Sequence, residues 1–220
     1  MTNFRSLLWI FFFFICLLIG IRVIYSESFG YLFLVWNLFL ALIPLLISEA
    51  FRSLPKRSKW VQFLILGCWF VFFPNSLYIV TDLLHLNQES IIPRWFDVLL
   101  LFSSSVLGLI MAYLSLFRLG NYLHHRFRSK QVNGIIAVVL FFGSFGVYLG
   151  RFLRWNSWDL IRNPQGLLSA VVDQFMFPFE HIQTWGMTFL FSGLFYLIYL
   201  LINKIPIHLG QRFNDWQIRD

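Results

Sequence analysis

The chain has 220 residues, of which 59% are hydrophobic and 12% charged, with a formal net charge of +7; a fold bounded by water on every side does not hide that much apolar surface. Aromatics make up 20% of the chain, with 28 phenylalanines, and the apolar residues run in stretches about 20 long instead of alternating, so the implied solvent is a bilayer. The excess of lysine and arginine sits in no recognition motif or soluble basic domain, which argues against nucleic acid as a partner and for anionic lipid headgroups.

Taken in chain order, six stretches can each cross a hydrocarbon core of about 30 Å at about 1.5 Å per helical residue. They cover roughly 7–25, 30–51, 60–81, 95–117, 132–150 and 185–203. The first follows Arg5 and could pass for a signal peptide, but no small-residue cleavage site follows it, so it is read as a membrane helix. A further run, Leu167 to Phe179, is too short to span, carries Asp173 in its middle and ends near Pro178, which suits an interfacial or re-entrant segment. There is no fixed repeat and no Gly/Ser-rich or Pro-rich linker. The expectation is an all-α polytopic helical bundle forming one membrane domain over residues 1–220. Cys16 and Cys68 fall inside apolar runs and read as buried small hydrophobes, with no disulfide framework.

Lysine and arginine accumulate in short cytoplasmic loops, and here they alternate from loop to loop. Arg5, then Arg52, Lys56, Arg57 and Lys59, then Arg118, Arg126, Arg128 and Lys130, then Lys204, Arg212 and Arg219 fall on one side. Arg22, Arg94, Arg151, Arg154 and Arg162 fall on the other. Both termini are therefore expected in the cytoplasm. The long connection from 151 to 184 is rich in Trp, Phe and Leu and should lie on or dip into the outer interface.

Two stretches stand out from the aliphatic background. The first runs from Phe73 to Leu86, where Pro74 interrupts the helical hydrogen-bond ladder. In a helix that continues past it, Asn75, Tyr78, Asp82 and His85 share an arc of about 80°. Counted from Trp60, Asn75 lies about 22 Å deep and Asp82 about 33 Å, near the outer hydrocarbon boundary. The bland reading has Asn75 stitching helices together while Asp82 and His85 cap a helix end; the functional one is a small outward-facing site.

The second runs from Gly146 to Asp159, and Arg151, counted from Gln131, lies about 30 Å along and reaches the same boundary. A continued helix would put Arg151, Arg154, Trp155, Trp158 and Arg162 on one side, as an aromatic belt with snorkelling arginines. The positive-inside rule disfavours arginines there, so something should compensate them. Asp82, Asp159, Asp173 and Glu180 are the available anions, and a phosphate or carboxylate ligand is another. The candidate ligand-binding set is Asn75, Tyr78, Asp82, His85, Arg151, Arg154, Asn156, Trp158 and Asp159. Within it, Arg151 or Arg154 is expected to face Asp82.

These stretches also carry a resemblance. Pro-Asn-x-x-Tyr-x-x-Thr-Asp-Leu-x-His-Leu at 74–86 and Tyr-Leu-Gly-Arg-Phe-Leu-Arg-Trp-Asn-Ser-Trp-Asp at 148–159 resemble the signatures of the bacterial membrane family catalogued as Domain of Unknown Function 1361. The resemblance implies a multi-pass protein of the bacterial cytoplasmic membrane and brings no activity, cofactor or catalytic residue with it.

Other residues invite sharper readings. Asp82 and His85 are spaced to meet one metal, and Glu180 and His181 could complete a four-ligand site, but the strong spacing of a known zinc motif is missing. His124 and His125 read as solvated loop residues, and Ser103 to Ser105 as small residues that let helices pack closely. Asp97 is expected to pair with Arg94 or with an arginine of the second stretch, and Glu49 with Arg52. Three function classes follow. A membrane enzyme on a lipid-linked or anionic amphiphilic substrate would use the outer arginines for the headgroup and Asp82 or His85 as acid or base. A transporter needs polar groups at mid-membrane and often an internal repeat, and little of either is present. A scaffold protein would hold a partner on its Trp-rich outer loop.

Overall fold

A computed structural model describes residues 4–87 and 92–217, and the side chains of residues 4–86 and 92–204. The described residues are 86% helical, with no strand among them. Its helices are α1 (Phe4–Ser26), α2 (Phe33–Ser48), α3 (Lys59–Tyr78), α4 (Arg94–His124), α5 (Ser129–Arg151), α6 (Asp159–Arg162), α7 (Pro164–Met176) and α8 (Ile182–Gln217). Short 3₁₀ segments cover Glu49–Arg52 and Leu54–Lys56, and a longer one, Ile79–Asn87, continues α3.

Six runs among the described residues are long and apolar enough to cross a bilayer: Phe4–Ser26, Phe33–Arg52, Lys59–Leu86, Arg94–His124, Ser129–Arg151 and Ile182–Lys204. The protein is a membrane-spanning, all-α bundle. The fourth run continues to His124, past the expected end at 117, because Leu119, Tyr122 and Leu123 are buried and the Tyr122 hydroxyl donates to Gln62 Oε1 at 2.9 Å. Arg212 and Arg219, expected to follow the last span, lie outside the residues whose side chains are described.

α4 is the central helix, with 61% of its most apolar window buried against 22% for α1 and α8. Its small residues Ser103, Ser104, Ser105, Gly108, Ala112 and Ser115 are all buried, which lets neighbouring helices come close on several sides. Ser104 and Ser105 donate to Leu100 O at 2.9 Å and Leu101 O at 2.8 Å, so these two serines are packing material with satisfied hydroxyls. One apolar cluster joins α2, α3, α4, α5 and α8 through Ile47, Trp69, Phe73, Leu116, Ile136, Leu140 and Phe195. A second joins α1, α2 and α4 through Ile15, Leu34, Leu38, Leu100 and Leu107. The outward faces of α1 and α8 carry Phe13, Leu17, Leu190 and Leu201, each more than half exposed, as lipid-facing helices should. Cys68 corrects the expectation of burial: it is exposed, and Cys16 is half-buried.

α7 is 13 residues long, about 20 Å at 1.5 Å per residue and short of a 30 Å core. It is tied to the start of α8, where Thr184 Oγ1 donates to the buried Gln174 side chain at 2.5 Å and Trp185 Nε1 to Gln174 O at 3.1 Å. Trp185 in turn stacks on Phe145 of α5, with ring centroids 5.9 Å apart.

Candidate functional site

Close packing of α3 on α5 sets the geometry. Gly143, Gly146 and Gly150 lie on one face of α5, and a Cβ at each would meet Phe73 and Leu77, Pro74, or Tyr78, respectively. At Gly146 it would come within 2.7 Å of Pro74 Cγ, closer than real Cβ atoms approach, so the two helices meet there because α5 has no side chain. Pro74 does not break α3, which runs on to Tyr78 before tightening into the 3₁₀ segment. That segment is longer than the usual three or four residues, and side chains of neighbouring elements reach two of its carbonyls. Ser105 Oγ lies 3.2 Å from Ile79 O and Tyr31 Oη 3.3 Å from His85 O. A 3₁₀ turn eclipses residues three apart, so Asp82 and His85 stack on one side.

Arg151 closes α5 at that level and is held on several sides. Its Nε donates to Thr81 Oγ1 at 2.8 Å, its Nη1 lies 3.0 Å from His85 Nε2, and its Nη2 forms an ion pair with Asp82 Oδ1. The guanidinium also lies over the Tyr78 ring, 4.2 Å from the centroid. Because the guanidinium can only donate, His85 Nε2 accepts. The other Asp82 oxygen accepts from Asn37 Nδ2 of α2 at 2.9 Å. The Asp82 side chain is 0% exposed and that of Arg151 12%, so this is a buried charge pair with its acceptors filled, the arrangement that burial of an ion pair requires.

A second buried pair lies at the same end of the bundle. Arg22 Nε of α1 donates to Asp97 Oδ1 of α4 at 2.7 Å, with side chains 5% and 7% exposed, and its guanidinium lies 3.5 Å from the Tyr31 ring centroid. The Tyr31 hydroxyl faces both Asp97 Oδ2 at 3.4 Å and His85 O at 3.3 Å. The two pairs are thus joined through Tyr31 and the backbone of the 3₁₀ segment. Asp97 was expected to pair with Arg94 or an arginine of the second stretch, and its partner is Arg22. Sequence spacing cannot reveal a contact between residues 75 positions apart on helices of unknown rotation.

Beside Asn37 and Tyr78 opens a cleft of about 330 Å³ between α2, α3, α5 and the α6–α7 region. Its walls are Phe70, Val71, Pro74, Phe142, Phe145, Leu149, Leu160, Leu167 and Val171, and its polar groups are Asn37, Asn75, Tyr78, Asn156 and Ser157. Phe70 and Phe142 are about 40% exposed, so the cleft is open on the side where the spans face lipid. Asn75 Nδ2 donates to Phe72 O at 3.0 Å and to Ser157 Oγ at 2.9 Å, and Ser157 Oγ donates to Val71 O at 3.1 Å. These bonds pin the chain leaving α5 against α3 and form the polar end of the cleft.

The expected set of residues divides in two. Tyr78, Asp82, His85 and Arg151 come together, with Thr81 and Asn37 as members the sequence reading missed. Thr81 was visible as the residue three after Tyr78, whereas Asn37 lies in an apolar helix and gave no signal. Asn75 and Asn156 line the cleft, whereas Trp158 packs against Trp36 with centroids 6.2 Å apart. The continued helix expected beyond Arg151 does not form. Arg154 takes a left-handed conformation, φ 59°, and the Trp155 N–H turns back to Leu149 O at 3.0 Å. Arg154 and Arg162 are therefore exposed and separate from Arg151. Asp159 accepts from the Asn156 N–H at 2.8 Å, within its own turn. The four-residue metal set is not assembled: His181 Nε2 lies 2.8 Å from Asp173 Oδ2, and no group of three or more His, Cys, Asp or Glu among the described residues could hold a metal ion. Glu49 lies against Arg5 and Arg118, at 3.2 and 3.3 Å, in place of the expected Arg52.

The sequence model of a family described as "Protein of unknown function (DUF1361)" matches residues 36–199. No curated protein and no solved structure matches the chain.

Proposed function

Starting from a chain that belongs to the DUF1361 family, we propose that it is a membrane protein that binds an amphiphile with an apolar tail in the cleft between α3 and α5. In this reading residues 1–220 form one domain of the bacterial cytoplasmic membrane with both termini cytoplasmic, and the cleft opens at the outer boundary. The observation that carries it is the cleft itself: apolar walls, open toward lipid along Phe70 and Phe142, ending at Asn37, Asn75, Asn156 and Ser157. Such a pocket, mostly apolar with a few convergent polar groups, is the ordinary form of a small-molecule site. Arg154, exposed and next in sequence to the cleft residues Trp155 and Asn156, suits an anionic headgroup.

Asp82 and His85 are better placed to position the site than to transfer protons within it. Asp82 is fully buried and engaged by Asn37 and Arg151, and the His85 Nε2 is taken up by Arg151. A general acid or base has to reach the substrate proton; here the carboxylate holds α2, α3 and α5 in register beside the cleft. The test is native mass spectrometry of the full chain released from its membrane. An amphiphile is expected to remain with the wild-type protein and to be lost from Leu160→Trp and Val171→Trp, which fill the cleft from its half-exposed rim. An unchanged lipid complement in both variants would remove the cleft from consideration, and turnover of the retained amphiphile would favour the enzyme reading.

A further inference from the structure

The opposite end of the bundle holds a second cavity, of about 530 Å³, walled by Arg5, Glu49, Arg52, Arg118, Tyr122 and His125 among others. Three span ends meet there. Arg5 is in the first turn of α1, Arg52 closes the 3₁₀ segment that ends the second span, and Arg118 is in the final two turns of α4. Glu49 is the single acid among the described lining residues. Its Oε1 lies 3.2 Å from Arg5 Nη2 and 3.3 Å from Arg118 Nη2. One carboxylate thus stands against three guanidinium groups, leaving a surplus of positive charge in one cavity.

The surplus is built in. Arg118 Nη1 is fixed independently, donating to Leu45 O and Ser48 Oγ, both at 3.0 Å, so the guanidinium is oriented before any ligand arrives and little ordering cost remains on binding. His125 is anchored through Nδ1 to Asn121 O at 2.8 Å. Unpaired surface arginines spread apart in water, whereas these converge at the depth where apolar spans end and phospholipid phosphates lie. Guanidinium forks match phosphate oxygens bidentately, and basic pockets between helix ends hold anionic headgroups.

We propose that this cavity takes the phosphate of an anionic phospholipid whose tails run down the outside of the bundle. The site is separate from the amphiphile cleft, and its fate does not depend on that reading. The experiment reconstitutes the full chain in phosphatidylcholine bilayers containing a minor fraction of phosphatidylglycerol and counts lipids retained per chain by native mass spectrometry. Phosphatidylglycerol is expected to be enriched over phosphatidylcholine, and the Arg5→Gln/Arg52→Gln double variant to lower that enrichment about tenfold, the size of a lost charge-assisted bond. Both arginines are exposed, so the fold should survive the change. Glu49→Gln, which removes the competing anion, is expected to raise the enrichment. Equal retention in wild-type and double variant, or a loss in Glu49→Gln matching that of the double variant, would overturn the proposal, the second because it would make the ion pairs a structural clasp. Millimolar inorganic phosphate, added to lipid-free protein in detergent, is expected to give no thermal shift. A shift that the double variant abolishes would make a free phosphate compound the ligand and overturn the lipid assignment.

Discussion

The Asp82–Arg151 pair gives the sharpest prediction, because its burial separates it from the surface pairs of the same protein. At about 4 Å and an effective dielectric of about 20, two unit charges attract by about 4 kcal/mol. Asp82→Asn removes that attraction and turns an amide N–H₂ or a carbonyl toward a guanidinium that stays 12% exposed. Arg151→Gln leaves a carboxylate with 0% exposure that keeps the Asn37 amide and loses its guanidinium. Breaking one side of a buried pair costs about 3–5 kcal/mol, so each single change is expected in that range. The double change removes both charges and should cost about 2 kcal/mol less than the sum of the singles. Arg5–Glu49, with side chains 73% and 47% exposed, is the internal control and should couple by about 0–1 kcal/mol. The assay is reversible unfolding in mixed micelles with increasing denaturing detergent, run on the wild-type chain, both singles and the double. Additivity within about 0.5 kcal/mol would refute the reasoning, since groups that do not couple are not a pair.

Gly146→Ala should force α3 and α5 apart at Pro74 and cost about 1–3 kcal/mol as an overpacking change; Gly67→Ala, whose Cβ would meet nothing within 4 Å, should cost nothing in the same unfolding assay. Arg154→Gly should leave stability unchanged or higher, because glycine takes the φ of 59° without a Cβ penalty, and any loss of retained amphiphile in that variant then reports the guanidinium. Reporter fusions at residue 125 and at the C-terminus should read cytoplasmic and one at residue 165 exported, and single cysteines at 165 and 183 should be labelled from the same side; opposite labelling would make α7 a span.

The helices were legible because their signal is local. A run of about 20 apolar residues declares a span by length alone, and the six found here begin and end within a few residues of the sequence reading, α4 and the end of the third span excepted. Those two run long for reasons a window of composition does not contain: Tyr122 has a buried partner in Gln62, and the 3₁₀ extension to Asn87 is held by Ser105, Tyr31 and Arg151. The site was half legible. Tyr78, Asp82 and His85 announced themselves as a polar face on an apolar helix, and Arg151 as an arginine at the matching depth. Asn37 and Arg22 did not, since a lone polar residue in a span looks the same whether it meets a charge or another helix's backbone. The expected arginine face beyond Arg151 failed for a backbone reason: the left-handed turn at Arg154 ends the helix and sends Arg154 and Arg162 elsewhere.

The pairing also changes how charge is distributed between the two ends of the bundle. Five arginines lie toward the end of the bundle that carries the cleft, three of them, Arg151, Arg154 and Arg162, in the stretch the positive-inside rule disfavours, and that rule counts lysine and arginine with little credit for Asp or Glu. The compensation comes in the folded state, where Arg22 and Arg151 are paired with Asp97 and Asp82 inside the protein. Only Arg94, Arg154 and Arg162 remain exposed at that end, against the basic loops after the second, fourth and sixth spans. At the other end Glu49 offsets one of Arg5 and Arg118 and nothing more. Pairing inside the bundle therefore leaves the larger exposed basic surplus at the end that holds the second cavity, and the reporter fusions at residues 125 and 165 test which side of the membrane that end occupies.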